Sequence, residues 1–327
     1  MARAKVCTHC LFPSALLAGV LLALPAFPQT YPSKPIRIIV GFAPGGAVDT
    51  VARISAQILS ELLRRTAVVE NRPGASTNIA AELVAKAQPD GYTLLMGSSS
   101  NATNMTLFRN LPYDTLRDFA PVTQVGYGPQ VLAMHPSLPA KSVKELVALA
   151  RTMPGQLSYA SAGNGSSQHL TGELFKLMNK VDIVHVPYKG GQPALVDVIS
   201  GQVACMFINT LEVLPHAKSG RLKVLAVASA KRSSVLADAP TFAESGLPRF
   251  EAVTWWGLLA PAGTPRDIIT RLQAEIMKGL ATAGMKERFL ALGAEPVGSK
   301  PEQFGAFVRE EIEKWGNVVR TLGIKVD

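Results

Sequence analysis

Two hydrophobic patterns alternate along the chain. Short apolar runs rich in β-branched residues are each followed by a segment with apolar residues at helical spacing. The run at 36–40 is followed by Val51, Ala52, Ser55, Ile58, Leu59 and Leu62 on one face. Ile79, Ala80, Leu83, Val84 and Ala87 form the next face. Ser142-Val143-Lys144-Glu145 reads as a capping box opening a helix on Val143, Leu146, Val147 and Ala150. Further strand-like runs fall at 92–96, 131–134, 157–161, 183–188, 202–208, 222–228 and 253–259. A last helix starts near Pro301, carries Phe304, Phe307, Val308, Ile312, Trp315 and Val319, and stops at Gly323. The alternation predicts an α/β protein whose mostly parallel sheets are flanked by helices.

Small polar residues and glycines gather where strands end, which is where ligands sit in open α/β sheets. The first such place is Gly41-Phe42-Ala43-Pro44-Gly45-Gly46-Ala47-Val48-Asp49, between a strand and a helix. The opening N–H groups of a helix lack backbone partners and its dipole is positive there, so the turn can hold a carboxylate or a phosphate. Neither a phosphate-loop lysine nor GxGxxG is present. The run 97–101 (Gly-Ser-Ser-Ser-Asn) follows another strand and reads equally well as binding wall or plain loop. A second strand–glycine turn–helix unit runs through Ser161 and Ala162-Gly163-Asn164-Gly165-Ser166-Ser167-Gln168-His169. A third strand ends at Tyr188-Lys189-Gly190-Gly191, and a fourth at Asn209.

Ser166 or Ser167 close to His169 suggests an alternative, a carboxylate-processing enzyme. GxSxG is absent, however, and no acid is evidently placed to orient the imidazole. His169 is better read as a hydrogen-bond donor, or as simply packed, than as a catalytic base. The five histidines show no metal-ligand spacing, so neither metal nor cofactor is expected.

The first 29 residues read as a secretory signal peptide: Arg3 and Lys5, then an uncharged apolar stretch interrupted by Pro13, Pro25 and Pro28. The stretch is barely long enough to span a membrane, and the prolines favour cleavage over anchoring. Cys7 and Cys10 fall in the segment to be removed, leaving Cys205 in an apolar strand-like run as a buried thiol. Losing Arg3 and Lys5 takes the formal charge from +9 to +7. The remaining basic residues are scattered without interleaved aromatics, which argues against nucleic-acid binding.

Segments spread over the whole mature chain resemble one family. They include Tyr31-Pro32-Ser33-Lys34-Pro35-Ile36, Phe42 to Gly46, Val69-Glu70-Asn71-Arg72-Pro73-Gly74-Ala75 and Pro89-Asp90-Gly91-Tyr92-Thr93. Asp118-Phe119-Ala120-Pro121-Val122, Gly163 to Leu170, Val186 to Gly190, Leu292 to Pro296 and Gly323-Ile324-Lys325 continue the series in order. The chain thereby resembles the Bug, or TctC-like, solute receptors of tripartite tricarboxylate transporters. The resemblance implies a type II-like periplasmic binding protein of two α/β domains joined by two crossing strands. It implies one domain at 30–128 plus 251–327, the other at 129–250, and hinges near 126–128 and 253–257. It also implies a small carboxylate ligand in the interdomain cleft, membrane transporter subunits as partners, and a monomer; a membrane sensor is the alternative partner. Carried onto this sequence, the ligand site comprises Phe42, Ala43, Pro44, Gly45, Gly46, Asp49, Ser98, Ser99, Ser161, Gly165, Ser166, His169, Tyr188, Lys189 and Asn209. Many members have an acid where this chain has Ile208, an acid able to pair with an amino-acid amine. On that ground an amino-acid ligand is disfavoured. The loop Ala75-Ser76-Thr77-Asn78 also departs from the family's glycine-rich form.

Overall fold

The computed structural model describes residues 1–2, 31–248 and 250–324. The expected signal peptide lies, but for its first two residues, outside the described residues. The chain order is β1 (Ile36–Val40), α1 (Ala47–Leu63), β2 (Ala67–Asn71), α2 (Asn78–Ala85), β3 (Thr93–Ser98), α3 (Ser99–Leu107) and β4 (Phe119–Met134). There follow α4 (Val143–Thr152), β5 (Ser158–Ser161), α5 (Ser167–Asn179), β6 (Val184–Pro187), α6 (Gly191–Ile199), β7 (Cys205–Asn209), α7 (Thr210–Lys218) and β8 (Lys223–Val227). The chain closes with β9 (Val253–Pro261), α8 (Arg266–Leu280), α9 (Ala283–Ala291), β10 (Glu295–Pro296) and α10 (Pro301–Leu322).

The strands form two sheet sections that share β4. In the first, β1 runs parallel to β2 and β3, and β9 lies antiparallel between β3 and β4. In the second, β5 runs parallel to β6 and β7, and β7 and β8 both pair antiparallel with β4. The partner exchange is sharp. Residues of β4 up to Pro129 pair with β9, and from Gln130 onward they pair with β7. Pro129 has no N–H to give to a ladder, so it is a natural place for a strand to leave one neighbour.

Each section is covered by helices on both faces. Successive residues of a strand point to opposite faces, so Trp256 packs with Ile36, Ile38, Leu59 and Leu272, whereas Trp255 packs with Phe304 and Val308. In the second section Phe175, Phe207, Phe242 and Phe250 fill one face, and Leu195, Val198 and Ile208 the other. Cys205 is buried there as a free thiol, its pKa pushed up to about 12 by burial.

The predicted strands and helices largely reappear, but α3, α7, α9 and the first part of β4 had no counterpart in the sequence pattern. Residues 99–107, apart from the strand-end run, carried no helical pattern, yet they form α3. Ser99 to Asn104 are buried throughout, so this polar helix is stabilised by its surroundings rather than by an apolar stripe or by propensity. The first twelve residues of β4 were also unpredicted; Pro121, Gly126, Gly128 and Pro129 mask the strand pattern, and the register shifts between Pro121 and Thr123 and between Gln124 and Gly126.

Candidate functional site

The walls of the site are helix starts. Helices α1, α3, α5, α6 and α7 open at Ala47, Ser99, Ser167, Gly191 and Thr210, each directly after or near a strand end. Their first turns meet around one pocket, lined by Gly46, Ala47 and Val48 from α1, and by Ser98 and Ser100 from α3. Ser166, Ser167 and Gln168 line it from α5, Gly191 from α6, and Asn209 and Glu212 from α7. Phe42, Ala162 and Thr254 complete it. Its free space is about 30 Å³, so its walls nearly touch. A wider outer pocket of about 410 Å³ adjoins it, sharing Phe42 and Ala162 and bounded by Gly74 to Thr77, Phe108, Gly163, Asn164 and Pro187 to Lys189.

Hydrogen bonds tie the elements of the two sheet sections together across this cleft. The Ala43 N–H donates to the Lys189 carbonyl at 3.1 Å, and the Gln192 amide to the Gly45 carbonyl at 2.9 Å. The Thr103 hydroxyl donates to the Gly165 carbonyl at 2.6 Å, and the Ser167 and Thr254 hydroxyls lie 2.9 Å apart. Close approach requires glycine at 190: its φ is +143°, and a Cβ there would stand 2.9 Å from the Ala43 nitrogen.

The inner pocket has no lysine or arginine among its lining residues. What it has instead are five helix starts, each the positive end of a helix dipole. Hydroxyls of Ser98, Ser100, Ser166, Ser167 and Thr254 add donors. Such an arrangement suits a carboxylate.

The sequence-selected residues divide between the pocket lining and the structure behind it. Phe42, Gly46, Ser98, Ser166 and Asn209 line the inner pocket; Tyr188 and Lys189 line the outer one. Ala43 joins the halves through its backbone, Pro44 sits exposed on the crest of the turn, and the Ser99 hydroxyl accepts from the Trp255 backbone N–H at 3.4 Å. Gly45 donates its N–H to Asp49 at 2.9 Å. Asp49 stands behind that turn, 2 % exposed, and also accepts from Arg53 at 2.8 and 3.0 Å and from Asn71 at 2.9 Å. Burial opposes its ionisation, but the hydrogen bonds from Arg53, Gly45 and Asn71 outweigh this and hold its pKa low.

His169 and Ser161 likewise lie behind the second glycine turn. His169 Nδ1 accepts the Gly165 N–H at 3.1 Å, and the Ser166 hydroxyl accepts the His169 backbone N–H at 3.2 Å, capping α5. The His169 ring stacks on His185 with centroids 4.1 Å apart, and Ser161 Oγ lies 2.6 Å from His185 Nε2. Burial lowers the pKa of His169 to about 4 and, reinforced by His169, that of His185 to about 3. The imidazole of His169 is therefore packed on His185 and engaged with Gly165, not with Ser166 or Ser167, and toward Gly165 its Nδ1 accepts where a donor was expected.

The argument from Ile208 needs correction. Ile208 is fully buried in the apolar core with Val131, Ala160 and Leu195, and the next residue, Asn209, lines the pocket. In this fold the absence of an acid at 208 says nothing about the cleft. The pocket does contain an acid, Glu212, which the sequence reading passed over. Its signal was a lone acid in the apolar run 210–214, on the first turn after a strand-end asparagine. Thr254 was missed as well, because nothing local marks it as facing a cleft; Ser100 and Gln168 lay inside runs singled out for the site but were not themselves chosen.

A family model described as the tripartite tricarboxylate transporter family receptor, TctC, matches residues 51–324. The chain belongs to the TctC family. BugT of Bordetella pertussis is 41 % identical over 312 residues, covering 95 % of this chain and 96 % of BugT. Among solved structures, Rpa4515 of R. palustris with adipate superposes with a TM-score of 0.88 at 38 % identity, covering 90 % of this chain and 99 % of that one. MatC of Rhodopseudomonas palustris with bound malate gives 0.85 at 34 % identity, covering 88 % and 100 %. The TctC architecture is the two-domain α/β fold of periplasmic binding proteins, and its members are solute-binding receptors rather than enzymes. Among the described residues of this TctC chain, no helix is long and apolar enough to cross a membrane, and no group of metal-binding side chains occurs.

Proposed function

We propose that this receptor captures a small carboxylate, foremost a dicarboxylate, in the inner pocket and delivers it to a tripartite tricarboxylate-type membrane transporter. The convergence of five helix N-termini on one pocket without a basic side chain carries the reading. It is supported by the adipate and malate held by the two relatives. The receptor works as a monomer in the periplasm after removal of residues 1–29. Its domains are 30–128 with 251–327, and 129–250, a division supported by the partner exchange of β4 at Pro129. Closure about β4 and β9 desolvates the anion between the glycine turns and forms the surface that the transporter reads.

A thermal-shift panel on the mature chain, stripped by unfolding and refolding, tests this with mono-, di- and tricarboxylates, aromatic acids and amino acids. A ligand at about 100 times its dissociation constant adds roughly 2.7 kcal/mol, a shift on the order of 5 °C for a chain of this size. A carboxylate hit is expected. Folded protein that responds to none of these compounds overturns the assignment. Retention of the transporter's membrane subunits on the loaded receptor, and not on the stripped one, tests the delivery step; retention of a sensor protein instead would replace it.

A further inference from the structure

Glu212 stands where a carboxylate receptor should have no negative charge. It lies on the first turn of α7, 5 % exposed, and is the one ionisable side chain among the described residues lining the inner pocket. One carboxyl oxygen is held: Oε2 accepts from the Asn209 amide at 3.1 Å. The other, Oε1, is buried with no hydrogen-bond partner. It sits against the helix starts of the facing turns, and a Cβ on Gly46 would come within 3.2 Å of it. A Cβ on Gly191 would collide with it outright, so both glycines make room for this carboxyl.

Among the described residues no cation pairs with it. Asp49 on α1 is bound by Arg53 and Asn71, and Asp197 on α6 accepts from the Tyr188 hydroxyl at 2.5 Å. His169 on α5 stacks on His185, and its pKa is lowered to about 4. His216, one turn further along α7, forms no ion pair with Glu212, and its pKa is lowered by burial and by Arg221. Lys189 lines the outer pocket. The groups that do reach Glu212 are the Asn209 amide and the Ala47 N–H.

We propose that Glu212 couples ligand capture to proton uptake: it receives a carboxylate ligand as the neutral acid, with the Oε1–H donating to a ligand oxygen. This rests on the receptor reading above and adds a chemical selection to it. An ionised Glu212 and an ionised ligand in a dry pocket repel, and both are acceptors only. One proton from solvent turns Glu212 into a donor and removes the repulsion. Burial, which already pushes the carboxyl up to about 7 against the weaker pull of Asn209 and Ala47, brings this proton within reach at neutral pH. A bound anion raises that value further. The pocket thus favours ligands that end in a bare carboxylate at α7 over those presenting an ammonium there.

The test is calorimetry on the mature chain at pH 6, 7 and 8, in buffers of different ionisation enthalpy and without carboxylate or phosphate. The probe is adipate or, where adipate gives no thermal shift, the panel carboxylate that does. Its own carboxyls are mostly ionised over this range. Affinity should fall about ten-fold from pH 6 to pH 8, with proton uptake approaching about one per ligand at pH 8 and nearly none at pH 6. Glu212→Gln should bind at all three pH values about as wild type does at pH 6, without proton uptake. The wild-type uptake decides the matter even if that variant fails to fold. A carboxylate that binds with no pH dependence overturns the inference and leaves the receptor reading standing. So does preferential binding of an amino acid such as aspartate that tightens toward pH 8, since Glu212 would then be pairing with an ammonium. If no carboxylate binds at any pH, the receptor reading falls and takes this inference with it.

Discussion

Two buried carboxyls stand within one turn of the helix starts that frame the pocket, and their environments drive them apart. Asp49 on α1 lies behind its glycine turn, where Arg53, Asn71 and the Gly45 N–H satisfy it. Glu212 on α7 lies in front of the turns, where no cation reaches it and one oxygen has no partner. Both are almost fully buried, at 2 % and 5 % exposed. Yet the Asp49 pKa is lowered, whereas that of Glu212 is raised to about 7. Burial favours the neutral acid in both places; at Asp49 the hydrogen bonds outweigh it, whereas at the more deeply desolvated Glu212 they do not. The first carboxylate is a fixed charge that holds a loop in shape. The second is free to change charge with what enters the cleft.

Removing the partnered acid should have the largest effect. Asp49→Ala strips the acceptor from Arg53, Asn71 and Gly45, and should cost about 3 kcal/mol at pH 7, at the lower end for a broken buried ion pair because Arg53 is half-exposed. Denaturant unfolding measures it, and a loss below about 1 kcal/mol would mean that the turn does not depend on this carboxylate.

Replacing the unpartnered acid should have the opposite sign. The folded-state pKa of Glu212 is raised above the value of 4.5 for an ordinary glutamate, so its ionisation works against folding. Its contribution is favourable below about pH 4.5 and is lost as pH rises through about 7. Glu212→Gln should therefore stabilise the protein by roughly 2–3 kcal/mol at pH 8 and change little at pH 4. Equal effects at both pH values would show that Glu212 stays neutral or ionised throughout.

The smallest effect concerns the rim. Ala75, Ser76 and Thr77 have φ of 43°, 53° and 77°, left-handed values that suit glycine, at the mouth of the outer pocket. Ser76→Gly should stabilise by about 1 kcal/mol, less the extra entropy of a glycine in the unfolded chain. A clear destabilisation would mean that the Ser76 side chain is itself engaged.

Local pattern made most of the fold legible. The strand at 36–40 and the helix face built on Val51 to Leu62 stand as read. At Ser142 half of the capping box forms: the hydroxyl accepts the Glu145 N–H at 3.2 Å, but the Glu145 carboxylate accepts from the Lys141 N–H at 2.8 Å rather than from Ser142. The glycine turns also stand at strand ends, with Gly46 and Ser166 at the helix starts. Helix α3 was illegible because its polar residues are buried by α10 and the sheet rather than selected by their own periodicity. Asp49, Ser161 and His169 were legible as residues near a site. Whether they face the ligand or brace the turn was not, because a residue one turn into a helix, like one at a strand end, can point either way. Glu212 and Thr254 escaped because the residues that make them pocket walls lie far off in sequence.

What the sequence determined by itself was the alternation of strand and helix, the glycine turns at strand ends and the family. These depend on spacing within a few residues, on backbone freedom at glycine, and on motifs that keep their order along the chain. The tertiary structure alone decided which helix starts share a pocket, which of two acids keeps its charge, and that Ile208 faces core while its neighbour faces the cleft. Desolvation and charge pairing depend on everything within a few ångströms, and in this fold those neighbours come from β1, β3, β5, β7 and β9 at once. No local pattern along the chain encodes that meeting.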